Sequence, residues 1–411
     1  MTAAVGSRTL SGTVCRDADG FALLAEEWES LRGRSRSATA FQSHAWLYSW
    51  WLSYGSPGRL RVVLVRQGGR LVAAAPMMLT HRPLPTLVAL GGGITDFCDV
   101  LLDDDCPQAP AALARGVRRA ARGAVVDLRE VRPGAAVERL YESWQGPRRR
   151  RTDSACLELP GVPIEALLDR LATASARRTR QKLRKIDKLG IEERTVTAGD
   201  SSAAVRNMLR LHRLQWQDRA VTPEHLTSRF HAHLERALPP MVRNGDAVVT
   251  EYRVGEDVVA TDVSFAQSDL VCGYLYGADP RLREQRIDIA VMLLRHDLDF
   301  TARTGRRAMS LLRGTEPYKL RWKPDPVVNQ RFLLARRGTA PVLKLYAGQV
   351  AARDRAAEAV RSRASLARMW ALARKPPGCR RRVPTPAGGR RREGAGSPFD
   401  GAECRAEVHR T

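Results

Sequence analysis

Arg313-Gly314-Thr315-Glu316-Pro317-Tyr318-Lys319-Leu320-Arg321-Trp322-Lys323 follows a predicted strand, Ala308 to Leu312, and that strand follows a predicted helix, Ile287 to Thr304. Gly314 and Pro317 break the strand. The break gathers a carboxylate, a phenol, an ammonium and an indole. Proton transfer needs an acid or a base, and a charged substrate needs an anchor, so these chemistries together at a strand end point to an active-site cleft.

Working outward, Ala247 to Val254, Asp257 to Ala266 and Leu270 to Gly277 read as a three-stranded meander, with turns at Gly255-Glu256 and Gln267-Ser268-Asp269. Helices are predicted before it, over Ile164 to Leu171, Ala174 to Leu189, Ala203 to Trp216 and Pro223 to Asn244, with a strand at Ile191 to Val196 and a last strand at Val328 to Ala335. Hairpin strands, a crossing helix and a further strand predict an α/β (α+β) fold with mixed, mostly antiparallel sheets flanked by helices. The first half shows the same order. Leu60 to Arg66 and Arg70 to Ala75 form a hairpin about Gln67-Gly68-Gly69; Thr86 to Leu90 is a strand, Pro110 to Arg122 a helix, Ala124 to Leu128 a strand and Ala135 to Trp144 a helix. Arg148 to Arg151 reads as a basic loop before a strand at Ala155 to Leu159. Ser43 is a plausible N-cap for a helix whose Trp46, Leu47 and Trp50 share a face, after a looser helix from Phe21 to Leu31. The shared order predicts an internal structural duplication without a sequence repeat. We therefore expect halves at 1–160 and 161–340, a long basic amphipathic helix over 341–375, and an unfolded tail at 376–411, where Arg, Pro and Gly leave too little to bury.

The chain has 411 residues and is 44% apolar, enough for two domains. No apolar run approaches the roughly 20 residues of a membrane helix, and Met1 to Ser11 lacks a secretory h-region. Seven cysteines without a CxxC pair fit reduced thiols, a cytoplasmic location and no metal site. His231 and His233, two apart on a helix, point to different faces, so the metal reading of His225, His231 and His233 fails and surface positions are expected. The net charge of +24 leaves two readings: a polyanionic partner such as tRNA or an anionic membrane surface, or solvated Arg in an Ala- and Gly-rich chain. The densest basic helix, Arg177 to Lys185, has no interleaved aromatics for base stacking but can contact phosphates.

The stretch at 313–322 resembles an Arg-Gly-x-Glu-x-Tyr-Lys-x-x-Trp motif of the acyltransferase-like proteins associated with cellulose biosynthesis, GNAT-superfamily relatives of the Fem peptidyltransferases. Phe41…Trp46…Trp50, Leu71 to Met77, Thr95-Asp96-Phe97-Cys98-Asp99, Arg177 to Lys188 and Tyr274-Leu275-Tyr276-Gly277 are similar to further segments, in the same order, so the resemblance spans about residues 40–335. It implies two tandem GNAT-like domains, and transfer of an acetyl or other acyl group from acyl-CoA to an amine or hydroxyl on a small-molecule or saccharide acceptor, with cell-envelope polysaccharide as one acceptor class. GNAT enzymes bind the CoA pyrophosphate on a Gly-rich loop at a helix start. Here the loop, Asp279 to Asp288, has no Gly, which leaves Arg281, Arg283 and Arg286 as side-chain contacts and keeps open aminoacyl-tRNA as a Fem-like donor. A non-catalytic scaffold or RNA-binding protein is the alternative from another class.

Within that frame Glu316 is a base or acceptor orienter, or else an ion pair with Lys319 or Arg313. Tyr318 is an acid for the leaving group, or a half-buried aromatic with a satisfied hydroxyl. Lys319 and Arg313 are substrate anchors or structural ion pairs, and Trp322 and Tyr276 complete the substrate-contact set. Asp96 and Asp99 line an acceptor pocket or cap backbone amides. Asp262, an acid in mid-strand, faces the cleft or the solvated side.

Overall fold

The computed structural model describes residues 9–81, 83–217, 222–267 and 269–373. The expected unfolded tail, with Cys379 and Cys404, lies outside the described residues. The strands are β1 (Leu10–Cys15), β2 (Leu60–Gln67), β3 (Arg70–His81), β4 (Pro85–Ala89), β5 (Leu101–Leu102), β6 (Val125–Val131), β7 (Arg148–Pro160), β8 (Glu192–Thr195), β9 (Ala247–Val254), β10 (Asp257–Gln267), β11 (Leu270–Ala278), β12 (Ala308–Arg313) and β13 (Asp325–Leu334). They join in one mixed sheet of order β1-β2-β3-β4-β6-β13-β7-β12-β11-β10-β9-β8, with β5 on β3. Helix Ala340–Ala373 follows as a unit of its own.

The order is nearly the same read from either edge. An antiparallel run, β1 to β4 or β8 to β11, meets a parallel neighbour, β6 or β12, after a helix, Ala109–Ala120 or Ile289–Arg303. Each half then gives its last strand to the other: β7 pairs with β12, β13 pairs with β6, and β7 and β13 pair together at the centre. This exchange makes the halves inseparable without breaking backbone ladders.

The basic stretch Arg148 to Arg151 is part of β7, not a loop. Its backbone pairs with Arg331 to Leu334. The Arg148 and Arg150 guanidinium groups lie over the rings of Tyr141 and Phe332, so the charges stay at the surface while the strand pairs. β1 carries too little apolar pattern, Leu-Ser-Gly-Thr-Val-Cys, to be legible before its partner β2 is known.

Helix His44–Tyr54 starts as its sequence says, with Ser43 Oγ accepting from Trp46 N. It packs beside helix Ser228–Arg243, and Ser49 Oγ donates to the His233 carbonyl at 2.9 Å. His233 is fully buried rather than superficial; its ring meets Trp46 edge-on at 4.4 Å, and burial pushes its pKa down to about 3. Phe41, Trp46 and Phe97 of the first half close on Phe265 and Tyr274 of the second, so both halves share one aromatic core.

Candidate active site at the parting of two strands

Among the described residues β11 and β12 pair only at Leu270↔Ala308, Val271↔Met309 and Cys272↔Ser310. Beyond these pairs each continues on its outer side, β11 with β10 and β12 with β7, and a wedge opens between them. Both strands are irregular at the fork. On β11 the register slips so that Tyr274 has no opposite residue. On β12 Leu311 and Leu312 bulge between Ser310 and Arg313, with Leu312 at φ +59°. The first half repeats the second device: Arg129 and Glu130 bulge out of β6, with Glu130 at φ +54°. Left-handed non-glycine residues are costly and cluster at functional sites.

The two bulges meet, and the side chains that join them form a seam between the halves. Arg313 Nε holds Asp96 Oδ1 at 2.8 Å, an Nη donates to Glu130 Oε1 at 3.2 Å, and the other Nη donates to the Gly93 carbonyl at 2.7 Å. Burial opposes the guanidinium charge, but Asp96 and Glu130 outweigh it and raise its pKa further. Fully buried Asn329 donates to Glu130 Oε2 at 3.1 Å, and Ser154 also donates to that carboxylate. Arg132 covers the Phe97 ring at 4.9 Å and pairs with Glu158. Sequence reasoning missed Glu130, Asn329, Arg132 and Glu158. Glu130 lies past the predicted strand end at Leu128, in a segment, Val125–Val131, that also carries Asp127 and Arg129, so no local signal marked it.

Glu316 and Lys319 are brought together, Oε2 to Nζ at 2.9 Å, and Nζ also donates to the Arg313 carbonyl at 2.6 Å. Gly314, at φ +107°, lets the Glu316 carboxylate fold over its Cα; a Cβ there would lie 2.4 Å from Oε1. Tyr318 stands on the next turn, 42% exposed rather than half-buried, with Lys319 Nζ 5.9 Å from its ring centre. Trp322 is not in the cluster: its indole packs in the core with Met292 and Leu294, and Arg321 lies over it.

Of the two acids after the glycine loop, only Asp96 reaches the wedge. Asp99 is buried and accepts from Ser37 Oγ and from the amides of Val100, Ala136 and Val137. Burial lifts its pKa to about 6 against those bonds. Asp262 does not face solvent. It lies under helix Ile289–Arg303, where burial and neighbouring Asp297 push its pKa well above the usual carboxylate range, and its Oδ1 has no hydrogen-bond partner among the described residues. Around it Ser264 donates to Asp297 at 2.7 Å, and His296 bridges Thr250 and Glu193. The Tyr276 side chain is half-buried on β11.

Asp288 caps the N-terminus of helix Ile289–Arg303: Oδ1 accepts from Val291 N at 3.2 Å, and Oδ2 holds Lys182 Nζ at 2.6 Å. Arg281, Arg283 and Arg286 lie exposed on the preceding turn, Arg281 against Asp279 at 2.8 Å. Among the described residues no group of His, Cys, Asp or Glu side chains has the geometry of a metal site, and no helix is long and apolar enough to cross a membrane.

Comparison with known proteins fits this topology. Residues 173–320 match the acetyltransferase (GNAT) domain family. No curated protein matches the sequence. Among solved structures, FemX superposes with a TM-score of 0.55 at 9% identity, covering 78% of this chain and 98% of its own. A conserved protein of unknown function from Bacteroides thetaiotaomicron gives 0.54 at 13%, covering 79% and 100%. L-PGS from Bacillus licheniformis gives 0.50 at 13%, covering 77% and 93%. The chain has a GNAT-like fold, and the residues that match the acetyltransferase (GNAT) domain lie in the half that holds the wedge.

Proposed function

We propose that this protein transfers an acyl group from acyl-CoA, with acetyl-CoA the simplest donor, to an amine or hydroxyl of a small-molecule or saccharide acceptor. The wedge between β11 and β12 is the observation that carries this reading. Two parted strand edges present backbone N–H and C=O groups that need partners. The amide-bearing arm of an acyl thioester is narrow enough to lie between them. The acyl carbonyl would reach the fork near Tyr274, with the acceptor on the side walled by Asp96 and Arg313. Glu316, held by Lys319, orients the acceptor, and Tyr318 donates a proton to the leaving group. Arg281, Arg283 and Arg286 offer charge to phosphates. The sequence resemblance makes cell-envelope polysaccharide chemistry in the cytoplasm the setting.

The test is thermal unfolding of the full chain with acetyl-CoA, longer acyl-CoAs and free CoA. A ligand at a hundredfold excess over its dissociation constant stabilises by about 2.7 kcal/mol. A shift with none of them sinks the acyl-CoA reading. One observation favours a second donor: the Asp288 carboxylate sits on the helix terminus where a pyrophosphate needs free amides. Aminoacyl-tRNA would then be the donor, read as tRNA retention that falls steeply with salt. RNA retention without any transfer would indicate a scaffold.

A further inference from the structure

We propose that His212 is the general base of this acyl transfer, with Nε2 taking the proton from the acceptor's amine or hydroxyl. The inference rests on the acyltransferase reading above and adds to it a residue that neither the motif at 313–322 nor the seam contains.

His212 lies near the end of helix Ser201–Gln215, which packs on β11. That packing is close. A Cβ on Gly277 would lie 2.2 Å from the Met208 carbonyl oxygen and 2.4 Å from His212 N. β11 spends one edge on β10, and past Cys272 its other edge has parted from β12. On β11 the helix supplies side chains instead. His212 Nδ1 donates to the Tyr276 carbonyl at 2.7 Å, and Gln215 Oε1 accepts from Ala278 N at 3.0 Å. A strand's outward groups recur every second residue, so both bonds lie on the edge that β12 has left. The imidazole therefore sits at the wedge.

The tautomer follows from the partner. A carbonyl can only accept, so Nδ1 carries the hydrogen and Nε2 carries the lone pair. Nε2 is buried and has no hydrogen-bond partner among the described residues, on a residue 3% exposed. Such an acceptor lacks a donor until a ligand brings one. Its titratable neighbours are imidazoles: His225, at 5.6 Å between ring centres on the Pro223–Leu226 turn, and His231 on helix Ser228–Arg243. Arg213 approaches His231 Nδ1 at 3.4 Å, while Glu224 and Asp96 act on His225. Burial lowers the His212 pKa against the pull of the Tyr276 bond, with His231 adding repulsion, so the lone pair is available at neutral pH.

The step balances. The acceptor N–H or O–H bond breaks and Nε2–H forms, while nitrogen or oxygen bonds to the acyl carbon. The carbon–sulfur bond breaks, the departing thiolate takes the Tyr318 hydroxyl proton, and the proton held on Nε2 returns through solvent to the Tyr318 phenolate, which restores both groups.

The test uses the full chain with acetyl-CoA as donor and hydroxylamine as a small nucleophile, reading thiol release. His212→Asn keeps an N–H for the Tyr276 carbonyl and removes the Nε2 lone pair. The expected result is an unchanged thermal shift with acetyl-CoA and a rate lower by about 10²–10⁴-fold. The wild-type acidic limb, below about pH 6.5, should be absent from the variant. In ¹⁵N-histidine spectra His212 should be the Nδ1–H tautomer, with Nε2 moving when acetyl-CoA is added. A variant with wild-type rate, a persisting acidic limb, or an Nε2–H tautomer overturns the base assignment while the donor reading stands. No stabilisation by acetyl-CoA overturns both the donor reading and the base proposal built on it.

Discussion

Arg313→Ala should separate the seam's structural role from any role in binding. The guanidinium stands between Asp96 and Glu130, whose side chains are only 13% and 8% exposed. Removing it leaves two carboxylates buried side by side and the Gly93 carbonyl without its donor. Breaking a buried pair from one side costs about 3–5 kcal/mol, most of it for the charge left uncompensated. The two halves form one compact unit that runs to Ala340, and at about 2.1 cal/mol/K of unfolding entropy per residue each kcal/mol moves Tm by about 1.4 °C, so a fall of roughly 4–7 °C is expected. Adding Glu130→Gln should return a large part, since the amide removes one stranded charge and still accepts from Asn329 and Ser154. Arg313→Lys should fall between, because one ammonium cannot reach both carboxylates and the carbonyl in fork geometry. The assay is urea unfolding of the four proteins at one pH, with m-values compared to confirm a common unfolded state. A loss below about 1 kcal/mol for Arg313→Ala, or no recovery in the double variant, would refute the seam as a stability element and return Arg313 to the open role of a substrate anchor.

Gly277→Ala should cost at least about 1–3 kcal/mol, because the new methyl meets helix backbone, which cannot rotate away; a loss below about 0.5 kcal/mol in urea unfolding would mean that the helix is not seated on β11 as described. Asp262 titrates above its unfolded value. Its contribution is therefore fully present below the unfolded pKa of about 4 and is lost as pH rises through the folded pKa. Asp262→Asn should therefore raise Tm at pH 8 by about 2–4 °C and change it little at pH 4, read by calorimetry at both; an equal change at both would place the carboxyl in a solvated setting.

The elements were legible where local chemistry and tertiary demand agree. Ser43 caps its helix, the Gly68-Gly69 hairpin forms, and the meander from Ala247 to Ala278 lies nearly where its alternation puts it. Arg148 to Arg151 was misread because four adjacent cations look like a solvated loop until Tyr141 and Phe332 are known to lie beneath them. The motif at 313–322 marks the end of β12 but not the residues that meet it there. Arg313 is matched by Asp96 and Glu130, 217 and 183 residues away in sequence. His212 carries no local mark at all. Its meaning depends on one strand edge being free, a property of sheet topology rather than of any sequence window.

The duplication sharpens where a donor belongs. Two equivalent forks exist, β4 with β6 and β11 with β12, and they are finished differently. In the first, the chain leaving β4 turns back, and Cys98 N donates to the Glu130 carbonyl at 2.9 Å, so the fold closes its own wedge. In the second, the β11 edge is met by the His212 and Gln215 side chains, which move at the cost of a rotamer rather than a strand. A ligand can compete with side chains far more readily than with a covalently continuous loop. The second fork also lies within the residues that match the acetyltransferase domain. The first half then serves as a wall: the loop that closes its own wedge carries Asp96 and Phe97 to the rim of the other, and Arg313 fixes that rim in place.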